Sequence, residues 1–405
     1  MRIALINTTK ENGIYPLGLL KIGAWQKSIG NECELFNRKL PDAGEFDEIW
    51  ISTLFTFDID FQLSIIREAI NRAKIVRCGG ISASLMPNEF KRLGADVHIG
   101  LLPDAEKFSP DYSLLKINPE YSITHTSRGC TRKCGFCMVK ILEPKYKIRK
   151  NWENDIHLET KKVLFFDNNW LAKDKKELFK DIEKIKKLHC EGKINKIDFN
   201  QGLDCRLMTK EIAKELNGVP FELIRFAFDG MHEDGHFQKA IDLIVKHTKI
   251  KDFTNYVLYN FKDTPEDLYY RLKEHARLAE LYGIDVKAFP MRYQPIIGFD
   301  RKRSYVGEHW TEKQKKGFMI MVGAFFTSGL INTRTIKEFE YIFTDSPENF
   351  SKLLNWNKLS EYCEKKSGKK RLDIYYKKKV NNRNTAEKLK YVLPKPLKSF
   401  KESNE

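Results

Sequence analysis

Short apolar runs separated by longer amphipathic stretches repeat along most of this chain, and that alternation narrows the folds open to it more than any other feature. Residues 2–7 (RIALIN), 32–36, 48–53 (EIWIST) and 75–78 read as buried strands, with a short fifth at 97–100. Between them, 17–28, 61–73 and 87–93 read as helices. Strands alternating with helices predict a parallel, doubly wound, Rossmann-like α/β sheet over residues 1–102. The Gly79–Gly80 pair marks a tight turn at the carboxyl edge of that sheet, where such folds place ligands.

A stretch bearing Pro103, Pro110 and Pro119 reads as a linker over 103–121. Six candidate strands follow, at 123–127, 163–167, 196–200, 223–228, 255–259 and 286–289. Helices are expected at 175–188, 210–216, 236–247 and 265–281. Six units over 122–296 are too few for an eight-stranded barrel of ~250 residues and predict a partial (β/α)6 barrel. Barrels of this kind carry their chemistry at the carboxyl ends of the strands, which selects the residues to weigh. Residues 297–364 turn helical, clearest at 311–327 and 346–364, and 365–405 form a basic tail.

Composition excludes several classes. With 41% hydrophobic and 31% charged residues the chain is neither disordered, collagen-like nor a disulfide scaffold. No apolar run approaches the ~20 residues of a membrane span, and the opening MRIALINTTKENG is too polar for a secretion leader. A cytoplasmic protein without a membrane partner is expected. Lys and Arg number 71 against 55 Asp and Glu, a net +16. Residues 365–405 hold 14 basic and 4 acidic side chains, so the tail carries +10 of that charge. Tyr375, Tyr376, Tyr391 and Phe400 interleave with its lysines, a pattern suited to phosphates and exposed bases and equally to a solubilising terminus.

Of eight cysteines, three fall within eight residues, in Ser127-Arg-Gly-Cys130-Thr-Arg-Lys-Cys134-Gly-Phe136-Cys137. The cluster begins where the first barrel strand ends. Thiolates are soft ligands for zinc and for iron–sulfur clusters. Structural zinc wants four ligands, and no second paired-cysteine motif supplies them; His125 is expected to pack into the barrel. Three thiolates on a four-iron cluster would leave one iron open.

This C-x₃-C-x₂-C motif, with an aromatic before its last cysteine and a strand before its first, resembles the radical S-adenosylmethionine superfamily. The resemblance extends over roughly residues 1–330. It implies a [4Fe-4S] cluster on Cys130, Cys134 and Cys137 whose open iron chelates S-adenosylmethionine, cleaved on reduction to a 5′-deoxyadenosyl radical. Phe136 resembles the family residue whose backbone contacts adenine. The end of the second strand, LFFDNN, puts Asp167, Asn168 and Asn169 where the family binds the cofactor's amino group, although the glycine-rich form of that motif is absent. Asn200, Gln201, Asp204 and Arg206 are expected to hold its ribose or carboxylate, with a structural salt bridge as the alternative for Asp204 and Arg206. Asp229 and Asn260 end the next two strands as weaker candidates. Arg292 and Gln294, after the last strand, are expected to face substrate. Cys205 is either a covalent or radical partner in catalysis or a small core residue. A flavodoxin- or ferredoxin-type reductant is implied as well.

The first hundred residues resemble the cobalamin-binding domain of one subgroup, through Pro16-Leu-Gly-Leu-Leu20, Cys78-Gly-Gly-Ile-Ser-Ala-Ser84 and Gly100-Leu-Leu-Pro-Asp-Ala-Glu106. The D-x-H-x-x-G motif of a lower axial histidine is missing, so two readings stand: bound cobalamin, with radical methyl transfer, or a retained fold without it. Three function classes follow. They are a radical enzyme acting on nucleic acid through the tail, a radical enzyme acting on a small metabolite or peptide, and a non-enzymatic metal protein that binds nucleic acid.

Overall fold

The structure is a computed structural model that describes residues 1–9, 14–296, 300, 302–326 and 328–368. The basic tail lies outside the described residues from 369 on, together with its four aromatics.

The first sheet contains β1 (Arg2–Asn7), β2 (Glu32–Asn37), β3 (Glu48–Ser52), β4 (Ile75–Gly79) and β5 (Asp96–Val97), all parallel, in the order β2-β1-β3-β4-β5. Central β1 shows how the sequence builds a two-faced layer. Successive side chains of a strand point to opposite faces. Ile3 and Leu5 pack with Leu19 and Leu20 of the helix Leu17–Ser28, while Ala4 and Ile6 pack with Ile59, Leu63 and Ile66 of the helix Ile59–Ala69. Every residue of β1 after Arg2 is buried, as a parallel strand covered on both faces requires. The strand order reverses between β1 and β3, and such a switch point opens a ligand crevice at the carboxyl edge. The turn expected at Gly79–Gly80 closes that edge. Gly80 adopts φ +105°, where a Cβ would stand 2.7 Å from the Thr53 carbonyl oxygen. Thr53 Oγ1 donates to the Gly79 carbonyl and accepts from the Ala83 N–H.

The proline-bearing stretch is no free connector. Its Tyr112 and Leu114 join the core of Ile3, Leu5 and Leu19. The second half then runs through β6 (Ser122–Thr124), β7 (Ser127–Arg128), β8 (Lys147–Ile148), β9 (Lys162–Phe165), β10 (Lys196–Phe199), β11 (Asp252–Tyr259) and β12 (Asp285–Arg292). Parallel pairing passes from β6 to β9 to β10. It continues through the bridges Ile197–Phe221, Leu203–Phe226, Ile224–Phe253 and Ala227–Tyr256, and ends in β11–β12. The strand expected over 223–228 is thus present as single bridges rather than a continuous ladder. Helices Lys175–Cys190, Lys210–Glu215, His236–His247 and Pro265–Tyr282 cover the array.

The C-terminal helices Glu312–Phe325, Ile336–Phe343, Pro347–Leu354 and Leu359–Ser367 gather Phe318, Phe339, Phe343 and Phe350 against Tyr269 and Leu272. The single helical stretch expected at 346–364 is two helices, broken at Asn355, whose amide turns back to the Ser351 carbonyl. Among the described residues no helix is long and apolar enough to cross a membrane.

Candidate active site

The cysteine loop is clasped at its base. The antiparallel pairs Ser127–Ile148 and Arg128–Lys147 join β7 to β8 on either side of it. Gly129 takes φ +74° and presses against the returning chain, where a Cβ would lie 2.4 Å from the Lys145 carbonyl oxygen. Its N–H donates to Glu143 Oε2 at 2.7 Å, and Asn168 Nδ2 donates to the same oxygen at 2.9 Å. Asp167 anchors the entry: it accepts from the Thr126 N–H (2.9 Å), Thr126 Oγ1 (2.7 Å) and Ser127 Oγ (2.7 Å).

Cys130, Cys134 and Cys137 are free, half-buried thiols on the wall of one cavity of about 1070 Å³. Burial pushes the Cys134 and Cys137 thiols up from their ordinary range. Cys130 Sγ receives the Arg132 N–H at 3.3 Å and Asn169 Nδ2 at 3.6 Å, bonds that would tune a metal group held there. Asn169 Oδ1 is buried on the same wall and has no partner. Among the described residues no three His, Cys, Asp or Glu converge as they would on a single ion.

Of the other sequence-selected residues, Phe136, Asn168, Asn200, Gln201, Asp204, Arg206, Arg292 and Gln294 line this cavity together. Gln294 brings both amide atoms there buried and unpartnered, whereas Arg292 Nη1 rests on Met319 Sδ at 3.0 Å. Four expectations change. Asp167 is fully buried and its oxygens are spent on Thr126 and Ser127, so it carries the loop instead of facing a cofactor. Cys205 is absent from the cavity wall; its Sγ lies 3.5 Å from the Ala227 carbonyl, and burial raises its pKa steeply, which suits a core residue. Arg206 does reach the cavity, but Asp204 already fills its fork at 2.7 and 3.1 Å, and Arg132 adds a third contact at 3.1 Å. Asn260 instead fastens the chain at 305–307 through the Gly307 N–H and the Tyr305 carbonyl.

Two groups were undervalued or missed by the sequence reading of the site, in which Asp229 was only a weaker candidate and Glu233 was not named. Asp229 and Glu233 meet at its floor, the Asp229 N–H donating to Glu233 Oε2 at 2.5 Å. Burial and the neighbouring Glu233 charge push the Asp229 carboxyl up to about 7. The second group crosses between the two sheets. Glu106 accepts from Arg128 Nη2 at 2.9 Å and from the fully buried Lys21 at 3.2 Å, with His125 Nε2 3.4 Å away. Burial lowers Lys21 to about 8 and holds His125 well below its usual range. Glu106 stood in the quoted loop motif, but nothing in the sequence marked its partners.

The same cavity reaches the first sheet. Asn7 and Ser52 at the switch point line it, as do Gly79, Gly80 and the stacked rings of Phe55 and Phe57. Phe57 is 56% exposed there. Two parallel sheets therefore aim their carboxyl edges at one chamber, and a three-cysteine loop forms part of its wall. The fold is shared with solved structures of a radical S-adenosylmethionine methyltransferase. One solved structure with this fold is TsrM from Kitasatospora setae with cobalamin and a [4Fe-4S] cluster bound, at TM-score 0.56 and 11% identity, covering 78% of each chain. The same methyltransferase with tryptophan substrate and the analogue aza-S-adenosylmethionine gives TM-score 0.54 and 12% identity, covering 78% of this chain and 76% of that one. The likeness is one of fold. No family model matches the chain, and no curated protein does.

Proposed function

We propose that the chain is a radical S-adenosylmethionine enzyme that works in this chamber with a [4Fe-4S] cluster and cobalamin, transferring a methyl group to its substrate. One observation carries the reading: three clasped thiols and the ligand edge of a doubly wound sheet wall the same cavity. We read residues 1–102 and the partial (β/α)6 barrel of 122–296 as the two halves that enclose it.

The residues fit these groups. Cys130, Cys134 and Cys137 would hold the cluster, which when bound supplies the electron that cleaves a sulfonium. The orphaned Asn169 Oδ1 beside Cys130 suits the ammonium of S-adenosylmethionine, and Asn200 and Gln201 suit its ribose. At about 1070 Å³ the cavity exceeds the ~300–1,000 Å³ of ordinary small-molecule sites, leaving room for more than one ligand. The Phe55–Phe57 stack offers a flat apolar face to a macrocycle. His98, the one histidine of residues 1–121, lines the cavity and turns Nε2 to the Leu101 carbonyl at 3.0 Å. The unpartnered amide of Gln294 would take one donor and one acceptor of the substrate. A small molecule suits the chamber, while the nucleic-acid reading rests on the charge of the tail.

The test is anaerobic reconstitution with iron, sulfide and cobalamin, then reduction with S-adenosylmethionine and mass spectrometry of its products. Cleavage of S-adenosylmethionine that disappears in Cys134→Ala supports the reading. A chain that takes up zinc alone and leaves S-adenosylmethionine intact overturns it.

A further inference from the structure

Most cationic side chains on the chamber wall come with a counter-charge. Lys21 and Arg128 meet Glu106, Arg77 meets Asp96, and Arg132 and Arg206 share Asp204. Arg292 lines the same wall half-buried, and among the described residues no carboxylate stands within ion-pair reach of it. Its side chain is held by Met319 Sδ, a weak acceptor. A guanidinium drawn partly out of water without a counter-charge costs the fold free energy. Two residues on, Gln294 holds both amide atoms buried and unpartnered on that wall. The Tyr293 N–H donates to the Tyr259 carbonyl at 2.9 Å, so the chain stays extended past the end of β12 and brings positions 292 and 294 to one side. An unneutralised cation and an unsatisfied amide therefore share one part of the chamber.

We propose that Arg292 and Gln294 form the subsite for a carboxylate of the substrate, which makes that substrate a small carboxylic acid with an N–H or O–H donor beside the group; the inference rests on the function proposed above. The guanidinium fork matches the two oxygens of a carboxylate. Gln294 Nε2 would support one of those oxygens while Oε1 accepts from the neighbouring donor. The carboxylate of S-adenosylmethionine is a poor claimant. It is bonded to the carbon that bears the ammonium, and the acceptor suited to that ammonium, Asn169, follows β9. Arg292 ends β12, four strand positions further round the array. The fork of Arg206, expected to take a carboxylate, is filled by Asp204, and that of Arg292 stays open. A phosphate would gather more cations than this single one. Met291, 43% exposed in the chamber beside the pair, offers the acid an apolar and adaptable neighbour.

The test is saturation-transfer NMR on the full chain, with 3-phenyllactate and 2-hydroxyhexanoate as probes and their primary amides as neutral counterparts. The chain is used before and after loading with iron and sulfide, since this subsite needs no cluster. Both acids should bind the wild type and compete with each other, and each amide should bind about tenfold or more weakly. Arg292→Met should erase that difference, while Arg292→Lys keeps part of it. Gln294→Leu should weaken 3-phenyllactate more than 3-phenylpropionate, which lacks the hydroxyl. Without ligand, Arg292→Met should melt no lower than the wild type, because the arginine it removes has no counter-charge to lose. A clear drop in melting temperature makes Arg292 a structural residue and overturns the proposal. Failure of both acids to bind the wild type overturns it, as does an acid preference that survives Arg292→Met. Tighter, Arg292-dependent binding of phenyl phosphate assigns the subsite to phosphate instead. Displacement of the acids by S-adenosylhomocysteine from the loaded chain gives it to the cofactor and overturns the proposal too. Failure to take up iron and sulfide counts against the proposed function, and the comparison of acid with amide on the unloaded chain still decides the subsite.

Discussion

Gly129→Ala is the sharpest probe of how the loop is held. The left-handed conformation of Gly129, φ +74°, costs an alanine about 1 kcal/mol. The new Cβ would also stand 2.4 Å from the Lys145 carbonyl oxygen, 2.8 Å from its carbon and 2.9 Å from the Glu143 carbonyl oxygen. All three are main-chain atoms, so no rotamer relieves the contact. Restoring an ordinary separation moves β7 away from β8 by about 1 Å. That movement loosens the two-residue ladder and the Gly129 N–H bond to Glu143, at about 1 kcal/mol for each bond lost. The sum is about 3 kcal/mol, and unclasping the loop relieves all of it. A metal cluster that requires the clasped loop should then be held about a hundredfold less tightly. Gly135→Ala is the control within the same loop, since its Cβ would meet nothing nearer than Phe261 Cζ at 3.5 Å. The assay is retention of iron and sulfide against increasing chelator after anaerobic reconstitution, with circular dichroism to confirm folding. Wild-type retention by Gly129→Ala, or equal losses in both variants, would refute the clasp.

Glu106→Gln leaves Lys21 and Arg128 facing each other without their shared carboxylate and should destabilise the chain by about 3 kcal/mol in thermal or urea unfolding. Burial alone would raise the Glu106 carboxyl, but His125, Arg128 and Lys21 hold it far below its usual range. Its contribution is therefore present above about pH 4.3 and lost as the pH falls below that, so the variant should show a flatter acid limb than the wild type. Asp229 has the opposite sign. Its folded value of about 7 lies above the ordinary 3.8, so wild-type stability falls between those two pH values as the unfolded chain releases a proton the folded chain keeps. Glu233, buried beside it, is raised as well, so Asp229→Asn should flatten that slope without abolishing it in melting curves taken across the window. Cys205→Ala should keep cleavage of S-adenosylmethionine within about twofold and cost about 1 kcal/mol, as expected of a small core residue; loss of activity from a folded variant would restore its catalytic reading.

The elements that announced themselves in the sequence were those whose periodicity is enforced by burial. β1 was readable because both its faces are covered, and the helix His236–His247 because one face packs on the array while the other meets water. The short pair β7–β8 was not readable. Lys147 and Ile148 are exposed, and two residues of pairing leave no pattern. The cysteine spacing identified the loop, since three thiols within eight residues share one loop whatever the rest of the chain does. Asp167 shows the limit of that reasoning. Asp167, Asn168 and Asn169 are all polar and all follow the same strand, yet the backbone turns the first inward to Thr126 and the next two toward the cavity. Side-chain direction after a strand ends is set by what packs behind it, which neighbouring residues do not encode. Glu106 and Lys21 lie 85 positions apart and meet only through the fold.

That ion cluster also constrains how this architecture can be recombined. Lys21 belongs to the first half, Glu106 to the stretch between the halves and Arg128 to the second. Any graft exchanging one half for that of a relative must cut between two members of the triad. A chimera joined before Glu106 separates it from Lys21; one joined after it separates it from Arg128. Swapped halves would therefore be tolerated only when donor and recipient present the same charges at those three positions. All three also line the chamber, so the joint and the site share a wall.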